Sequence, residues 1–496
     1  MSNVRVTYSG LIALLVSIVG VITGTIFVIL VTRKLSPEEL GLWTIINSLV
    51  AYVFVVDPIV SYWSTRQAAR GEDIGKTALS MAALFSIGGI LVYFIVSIFV
   101  SESLSIDFSL LLLSAILIPL LFLHGALSGI AFGTKPHSEQ YAIVAFESAK
   151  IPLGFLFVVF YQMGLYGAIL AIIFSNMIRI IVLFIQLRSY IFGQIKLHLI
   201  KFWFKMSWLP MYGMIPSFAI TLDVIIFSAI SNSLTGLAFW TAGITVAALV
   251  TQSGTISQAL YPKLIATQKK EFAKVNLQRT LFFAIPFLAL SVVFAKPLLH
   301  IINPIYVGGI IIVYFLASRA FVNIFINFSY NVIRAYEQID KNQNSSFGEY
   351  LKSKLFVIPT LTYIMSGIYL GSLIPLLLLK PSDWTEVDLV QMWSLVYFAS
   401  HIPFAVYGIF SIKRNYGINL PWIHITKFSI VTLLASLVLN YLIEHYLEYK
   451  TSIWEFLPEV IPFVALGGLI YFGITYLIDN STRTFFKSIF SEIIKK

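Results

Sequence analysis

Few side chains in this 496-residue sequence could do chemistry, and their surroundings set them apart. Only 11% of the residues are charged, while 58% are hydrophobic. Asp57, Glu147, Lys150, Arg179, Asp223 and Arg319 stand inside long apolar runs; Arg66 and Arg334 stand at the ends of such runs, and Arg33 at the edge of a turn. An ionised group among apolar residues is costly in lipid, so each of these is expected to face protein, water or a partner. Glu147 and Lys150 are three apart, on one helical face, and can pair. They are then either a self-neutralised pair or part of a cavity wall. Arg179 and Arg319 have no acid nearby in the sequence. Each either snorkels or faces a cavity, and Arg319 is the nearer to mid-run. Arg66 and Arg70 are one turn apart; topology accounts for Arg70, and the deeper Arg66 is expected to point inward. A cavity lined by arginines suits an anion, because guanidinium stays charged and grips phosphate oxygens two at a time.

The acids allow three readings. Asp57, Glu147 and Asp223 can bind a cation, titrate as proton sites, or pair with an arginine. Pro58 follows Asp57 and frees a backbone carbonyl one turn earlier, which predicts a bend. Thr360, Thr362 and Ser366 could complete a cation site. Among the seven histidines, His124 is read as the one well inside a run, either hydrogen-bonded in packing or a proton relay.

Enzyme signatures are missing: there is no P-loop, no HExxH, no GxSxG and no histidine pair at ligand spacing. The absence of cysteine excludes disulfides, thiolate metal sites and a cysteine nucleophile. No catalytic residue, metal or cofactor is expected. Uphill transport would draw on an ion gradient, with Na+ or H+ as the coupling ion, on the membrane potential or on product removal.

The elements that must position these residues are transmembrane helices. Mean hydropathy is +0.88, and apolar runs of bilayer length recur from end to end. Fourteen are read: 10–31, 42–65, 78–100, 109–132, 141–161, 164–187, 207–230, 235–261, 280–302, 305–332, 354–379, 387–411, 423–443 and 457–478. Lipid leaves no backbone group unpaired, and runs without strict alternation choose helices over a barrel. With the N-terminus placed in the cytoplasm, 25 of the 33 basic residues fall on the cytoplasmic side, 5 on the outer side and 3 within spans. This bias places both termini inside a cytoplasmic membrane. It also accounts for the net charge of +10 without nucleic acid. Trp203, Trp208, Trp384, Trp422 and Trp454 fall near span ends, as an aromatic belt would. Prolines recur within spans, which predicts bent helices that rock or gate.

The chain also repeats. Arg33-Lys34-Leu35-Ser36-Pro37-Glu38-Glu39 ends one run and Gly41-Leu42-Trp43 opens the next; Leu237-Ala238-Phe239-Trp240-Thr241 echoes it, and setting Trp43 on Trp240 places Arg66 on Lys263. Such repetition in a membrane protein points to a transporter of two similar halves. Residues 1–190 form an N-terminal six-helix bundle in this reading, 191–206 a cytoplasmic connector, 207–415 a C-terminal six-helix bundle, and 416–496 two extra helices with a basic cytoplasmic tail.

The stretch from Arg33 to Trp43 resembles the start of polysaccharide-biosynthesis (O-antigen and oligosaccharide) flippases of the multidrug/oligosaccharidyl-lipid/polysaccharide (MOP) exporter superfamily. Asp223 before Gly236-Leu237-Ala238-Phe239-Trp240 resembles the opening of their second half, and Ala259-Leu260-Tyr261-Pro262-Lys263 the end of their eighth span. The resemblance covers the first twelve spans. It implies an all-α, polytopic, MATE-like fold, with two six-helix bundles around a central cavity. It also implies alternating access that carries a polyprenyl phosphate- or pyrophosphate-linked oligosaccharide from the inner to the outer leaflet. The headgroup would meet Arg66, Lys150, Arg179 and Arg319, with Arg33 at the outer end; Asp57, Glu147 and Asp223 would serve ion coupling. Fourteen spans, with a lipid-tail groove at the last pair, resembles lipid II flippases, some of which use an acid in span 7 for sodium, a match to Asp223. The family works as a monomer, with membrane lipid as its surroundings. Three alternatives stand: a cation-coupled multidrug exporter of the MATE type, a membrane-embedded glycosyltransferase or polymerase, and a non-transporting scaffold.

Overall fold

The computed structural model describes residues 20–487 apart from 21–22, 25, 70, 105–106, 255–263, 265–268, 338–346 and 485. Most of the first run (10–31), Arg70, and the stretch Ala259–Lys263 therefore lie outside the described residues. Residues 26–32 are helical. Nineteen α-helices follow: α1 (Pro37–Phe54), α2 (Pro58–Ala69), α3 (Gly75–Leu104), α4 (Phe108–Ala115), α5 (Leu117–Thr134), α6 (Pro136–Gly154), α7 (Gly164–Ile191), α8 (Leu197–Lys205), α9 (Trp208–Ile220), α10 (Asp223–Ser231), α11 (Leu234–Gln252), α12 (Lys270–Val293), α13 (Ala295–Ile302), α14 (Ile310–Tyr336), α15 (Phe347–Lys352), α16 (Lys354–Leu378), α17 (Glu386–Tyr416), α18 (Trp422–Tyr446) and α19 (Ile453–Ile478). No strand occurs among the described residues. Among the described residues twelve helices are long and apolar enough to cross a membrane, or thirteen if α1 and α2, bent by 55°, form one span. The fourteenth run of the sequence reading is the first, which is mostly undescribed.

Local chemistry explains the element ends. Ser36 caps α1, accepting from the Glu39 N–H, and the Glu39 carboxylate accepts the Ser36 N–H at 2.9 Å. Pro37 fits the first turn, where no N–H is needed. The Glu39 carboxylate also accepts the N–H of Leu165 at the start of α7. The charged turn before Gly41 is thus helix-capping machinery. Asp57 and Pro58 occupy the break between α1 and α2, as the bend predicted. Pro152 in α6 precedes a π-helical stretch, Phe155–Phe160, where the backbone shifts register.

Two compact units divide the chain by internal packing: residues 1–241 with 362–382, and residues 242–361 with 383–496. In the first unit α5 packs against α2, α3, α6 and α7. Gly125, Gly129 and Gly133 recur every four residues along α5, and each lies so close to α2 or the Asp57 break that an added Cβ would clash. That stripe lets the two backbones approach. Gly41 does the same for α1 beside Leu234 of α11. There the hydroxyls of Thr44 and Thr241 hydrogen-bond, 197 residues apart. The same offset, 197 residues, sets Trp43 on Trp240 in the sequence. Trp203 is fully buried and donates its indole N–H to Gln67 at 2.9 Å. It belongs to the packing of α8 on α2, not to an interfacial belt; its spacing of four from buried Leu199 marks one apolar face of a short helix.

In the second unit α14 pairs with α17, and α12 with α18, which in turn packs on α19. The last two helices are tied to α12 by the Tyr471 hydroxyl, which donates to the Phe282 carbonyl at 2.7 Å. Below them Asp479 accepts from Lys427 and His424 and caps the next turn through Thr482. Burial opposes its ionisation, but the Thr482 N–H and hydroxyl, His424 and Lys427 outweigh it and hold the carboxyl below the usual aspartate range.

Candidate functional site

The first unit gathers most of the chain's intramembrane charge into one neutralised cluster. Lys150 donates to Glu147 at 2.6 Å, and the Thr23 hydroxyl donates to the same oxygen at 2.7 Å. The Lys150 ammonium also lies over the rings of Phe146 and Phe27. On the other side of Phe146, 5.8 Å from its ring centre, sits the Arg179 guanidinium. Arg179 donates to Glu139 at 2.5 Å, and His124 meets the same oxygen at 3.1 Å. A carboxylate only accepts, so His124 Nε2 carries the proton. His124 is therefore hydrogen-bonded in packing. Glu139 is 3% exposed, and its second oxygen has no partner among the described residues, nor has the Nε of Arg179.

Sequence reasoning missed Glu139, because the apolar run was started at 141 whereas α6 begins at Pro136. A signal existed. Glu139, Phe146, Glu147 and Lys150 share one helical face at spacings of seven, eight and eleven. Arg179, which has no acid in its own run, thus acquires one from a helix 40 residues away.

Two acids sit where a span is interrupted by a turn, Asp57 at the 55° bend and Asp223 after Thr221–Leu222. Asp57 is 7% exposed, and its Oδ1 has no partner among the described residues. It lies against Gly125, where an added Cβ would clash with that same oxygen. Asp223 opens α10 just after the turn at Thr221–Leu222. Its Oδ1 accepts the N–H of Val224 at 2.8 Å, and its Oδ2 accepts the Tyr369 hydroxyl of α16 at 2.5 Å. Ser366, one of the hydroxyls read as completing a cation site, donates to the Pro216 and Thr362 carbonyls. Among the described residues no three histidines, aspartates or glutamates converge on a metal position. Arg66 is exposed; it donates to the Tyr62 hydroxyl and lies 5.4 Å from that ring. Arg33, in the turn before α1, is partly exposed.

The second unit holds a different arrangement. Arg319, in α14, stacks over the Tyr397 ring at 4.2 Å. Its Nε and Nη2 donate to Nε2 of His401 at 3.3 and 3.2 Å. His401 is fully buried in the middle of α17. The reading that His124 alone lies deep in a run is thus corrected: the long α17 encloses His401 as well. Its signal was the same as that of Arg319, a polar residue inside an apolar run. Among the described residues Arg319 forms no ion pair, in contrast with Lys150 and Arg179.

No family model and no curated protein matches this chain. Solved structures of similar fold include an inward-facing multidrug resistance MATE family transporter of the MOP superfamily, with a TM-score of 0.59 and 11% identity over 82% of this chain and 98% of that one. Another is the lipid II flippase MurJ in an inward closed conformation, with a TM-score of 0.63 and 14% identity over 93% and 98%. A third is the MATE multidrug transporter DinF-BH, solved as a complex, with a TM-score of 0.56 and 15% identity over 84% and 97%. At such identities the likeness is one of fold alone: all-helical and polytopic.

Proposed function

We propose that this chain is a flippase that moves a polyprenyl phosphate- or pyrophosphate-linked oligosaccharide from the inner to the outer leaflet by alternating access, for cell-surface glycan assembly. The observation that carries this reading is Arg319. It is a guanidinium inside a membrane helix, supported by a neutral histidine and a tyrosine ring, with no carboxylate ion-paired to it among the described residues. A fixed, unneutralised arginine in a span is expensive unless an anion visits it. Arg66, exposed and held by an uncharged tyrosine, supplies a second cation of the same kind. Lys150 and Arg179 are already neutralised by Glu147 and Glu139, which favours a supporting role over first contact with the headgroup. The wider coverage by MurJ than by the MATE transporters is what two extra helices such as α18 and α19 would give. The positive-inside bias supports cytoplasmic termini and a cytoplasmic-membrane location.

A second reading, a proton- or sodium-coupled multidrug exporter, is favoured by one observation: the Asp57 oxygen buried at the break of a bent span, without a partner among the described residues. The deciding experiment is flipping of a fluorescent polyprenyl-pyrophosphate oligosaccharide in proteoliposomes. Wild-type flipping that falls in Arg319→Ala and Arg66→Ala, with folding intact, supports the flippase. Absence of flipping, with gradient-driven efflux of organic cations lost in Asp57→Asn, sinks it in favour of the exporter.

A further inference from the structure

We infer that His401 ties the binding of an anion at Arg319 to the uptake of one proton. The flippase reading above is needed only to say which anion this is. The proton positions follow from the geometry. Arginine nitrogens only donate, so His401 Nε2, facing two of them at 3.3 and 3.2 Å, must offer its lone pair. The Tyr397 carbonyl oxygen only accepts, so Nδ1, 2.8 Å from it, must carry the hydrogen. The ring is therefore the neutral Nδ1–H tautomer, and its Nε2 has no room for a proton while the guanidinium stays in place.

The surroundings isolate this pair. Ser400 is the other polar neighbour, with its hydroxyl 3.3 Å from Nδ1. Among the described residues the elements that pack most closely on α17 are α14 and the 3₁₀ turn Pro304–Gly309, and neither contains an aspartate or glutamate. Tyr306 is the titratable residue of that turn; besides Arg319, α14 carries Tyr314, Tyr330, Arg334 and Tyr336. Arg334 lies about 22 Å along the helix from Arg319, and the acids of α17, Glu386 and Asp388, are roughly 20 Å or more from His401, at 1.5 Å rise per residue. Arg319 is the charged side chain that sets the state of His401.

An imidazole lone pair is a modest acceptor for a guanidinium, and a phosphate oxygen is a much stronger one. When the Nε–H and Nη2–H of Arg319 turn to a phosphate, the buried Nε2 loses both donors. It recovers by taking a proton from water: one N–H bond forms at Nε2, and the new imidazolium donates to the same anion. The proton returns to water when the anion leaves. Without the anion, an imidazolium would face a guanidinium at hydrogen-bond distance, so proton and anion each favour the other. Each headgroup then carries one proton with it, which lowers the net charge moved across the membrane.

The test uses the full chain in lipid nanodiscs and the fluorescent polyprenyl-pyrophosphate oligosaccharide, whose diester phosphates stay ionised throughout the range. Binding is measured near pH 5.5 and near pH 8, on either side of the usual histidine pKa of about 6.5. The expected result is about tenfold tighter wild-type binding at the lower pH, a factor that one linked protonation readily supplies. His401→Gln keeps an oxygen acceptor for Arg319 without a titratable site, and is expected to bind with less than about twofold pH dependence. Nitrogen NMR of the histidine rings is expected to show His401 as the Nδ1–H tautomer when free and as imidazolium in the complex. Equal pH dependence in wild type and H401Q, or a neutral His401 in the complex at low pH, overturns the inference while leaving an anion site at Arg319. No wild-type binding at either pH, in folded protein, overturns the flippase reading together with it. If H401Q does not fold, proton uptake by wild type on binding decides: about one per ligand is expected near pH 5.5, falling towards zero by pH 8, and none overturns the link.

Discussion

The two compact units treat intramembrane charge in opposite ways. In the first, Arg179 and Lys150 each reach a carboxylate, and the aromatic ring of Phe146 lies between the two cations. In the second, Arg319 rests on a neutral histidine and a tyrosine ring. The residue type is the same, an arginine in a span, yet one cation is ion-paired and the other, among the described residues, is not. A charge in an apolar helix announces a constraint, and its partner decides whether that constraint is mechanical or functional.

The sharpest way to break this contrast is Glu139→Ala. It strands Arg179 in a buried place, and the expected cost is about 3–5 kcal/mol, read as a lower unfolding temperature in detergent. A loss below about 1 kcal/mol would mean that the cluster is not structural. Next comes Gly125→Ala, whose Cβ would collide with Asp57 Oδ1. Overpacking there is expected to cost about 1–3 kcal/mol. Adding Asp57→Ala should recover much of it, and a double-mutant cycle on unfolding checks this. Tyr369→Phe removes the hydroxyl donor from Asp223 and is expected to cost roughly 1.5–3 kcal/mol in the same assay, if the carboxylate is charged as the hydrogen bonds imply. Arg319→Ala strands no carboxylate but takes both donors from the buried His401 Nε2, so it is expected to cost about 1–3 kcal/mol, less than Glu139→Ala, while flipping in proteoliposomes falls at least about tenfold. A large stability loss with flipping unchanged would erase the distinction between the units.

The smallest effect concerns Asp479, outside the spans. Its folded pKa lies below the unfolded value near 3.8, so its ionised form stabilises the fold above that pH. The contribution is lost as pH falls through the folded value. Acid unfolding followed by fluorescence is expected to show that slope in wild type and not in Asp479→Asn.

Much of this was legible in one dimension. The Ser36–Glu39 cap, the bend at Asp57–Pro58, the Glu147–Lys150 pair and thirteen of the fourteen spans are written in neighbours a few residues apart. Glu139 was hidden by a boundary: an acid in a first helical turn reads as loop until the helix start is known. His401 was hidden by its context, because a lone histidine in an apolar run has no stated partner. Trp203 was misplaced because an aromatic at a span end and one at the core of a short amphipathic helix look alike in sequence.

The sequence by itself determined that the chain is a bundle of membrane helices, where those helices bend and which ionisable groups lie within them. Apolar length, backbone hydrogen bonding and capping act locally, so composition and short spacing suffice. Only the tertiary structure decided which charges cancel. Arg179 finds Glu139 at a separation of 40 residues, Arg319 finds His401 at 82, and Asp223 finds Tyr369 at 146. When lipid-facing and buried faces are both apolar, periodicity no longer says where a side chain points, and only the packing of distant helices supplies its partner.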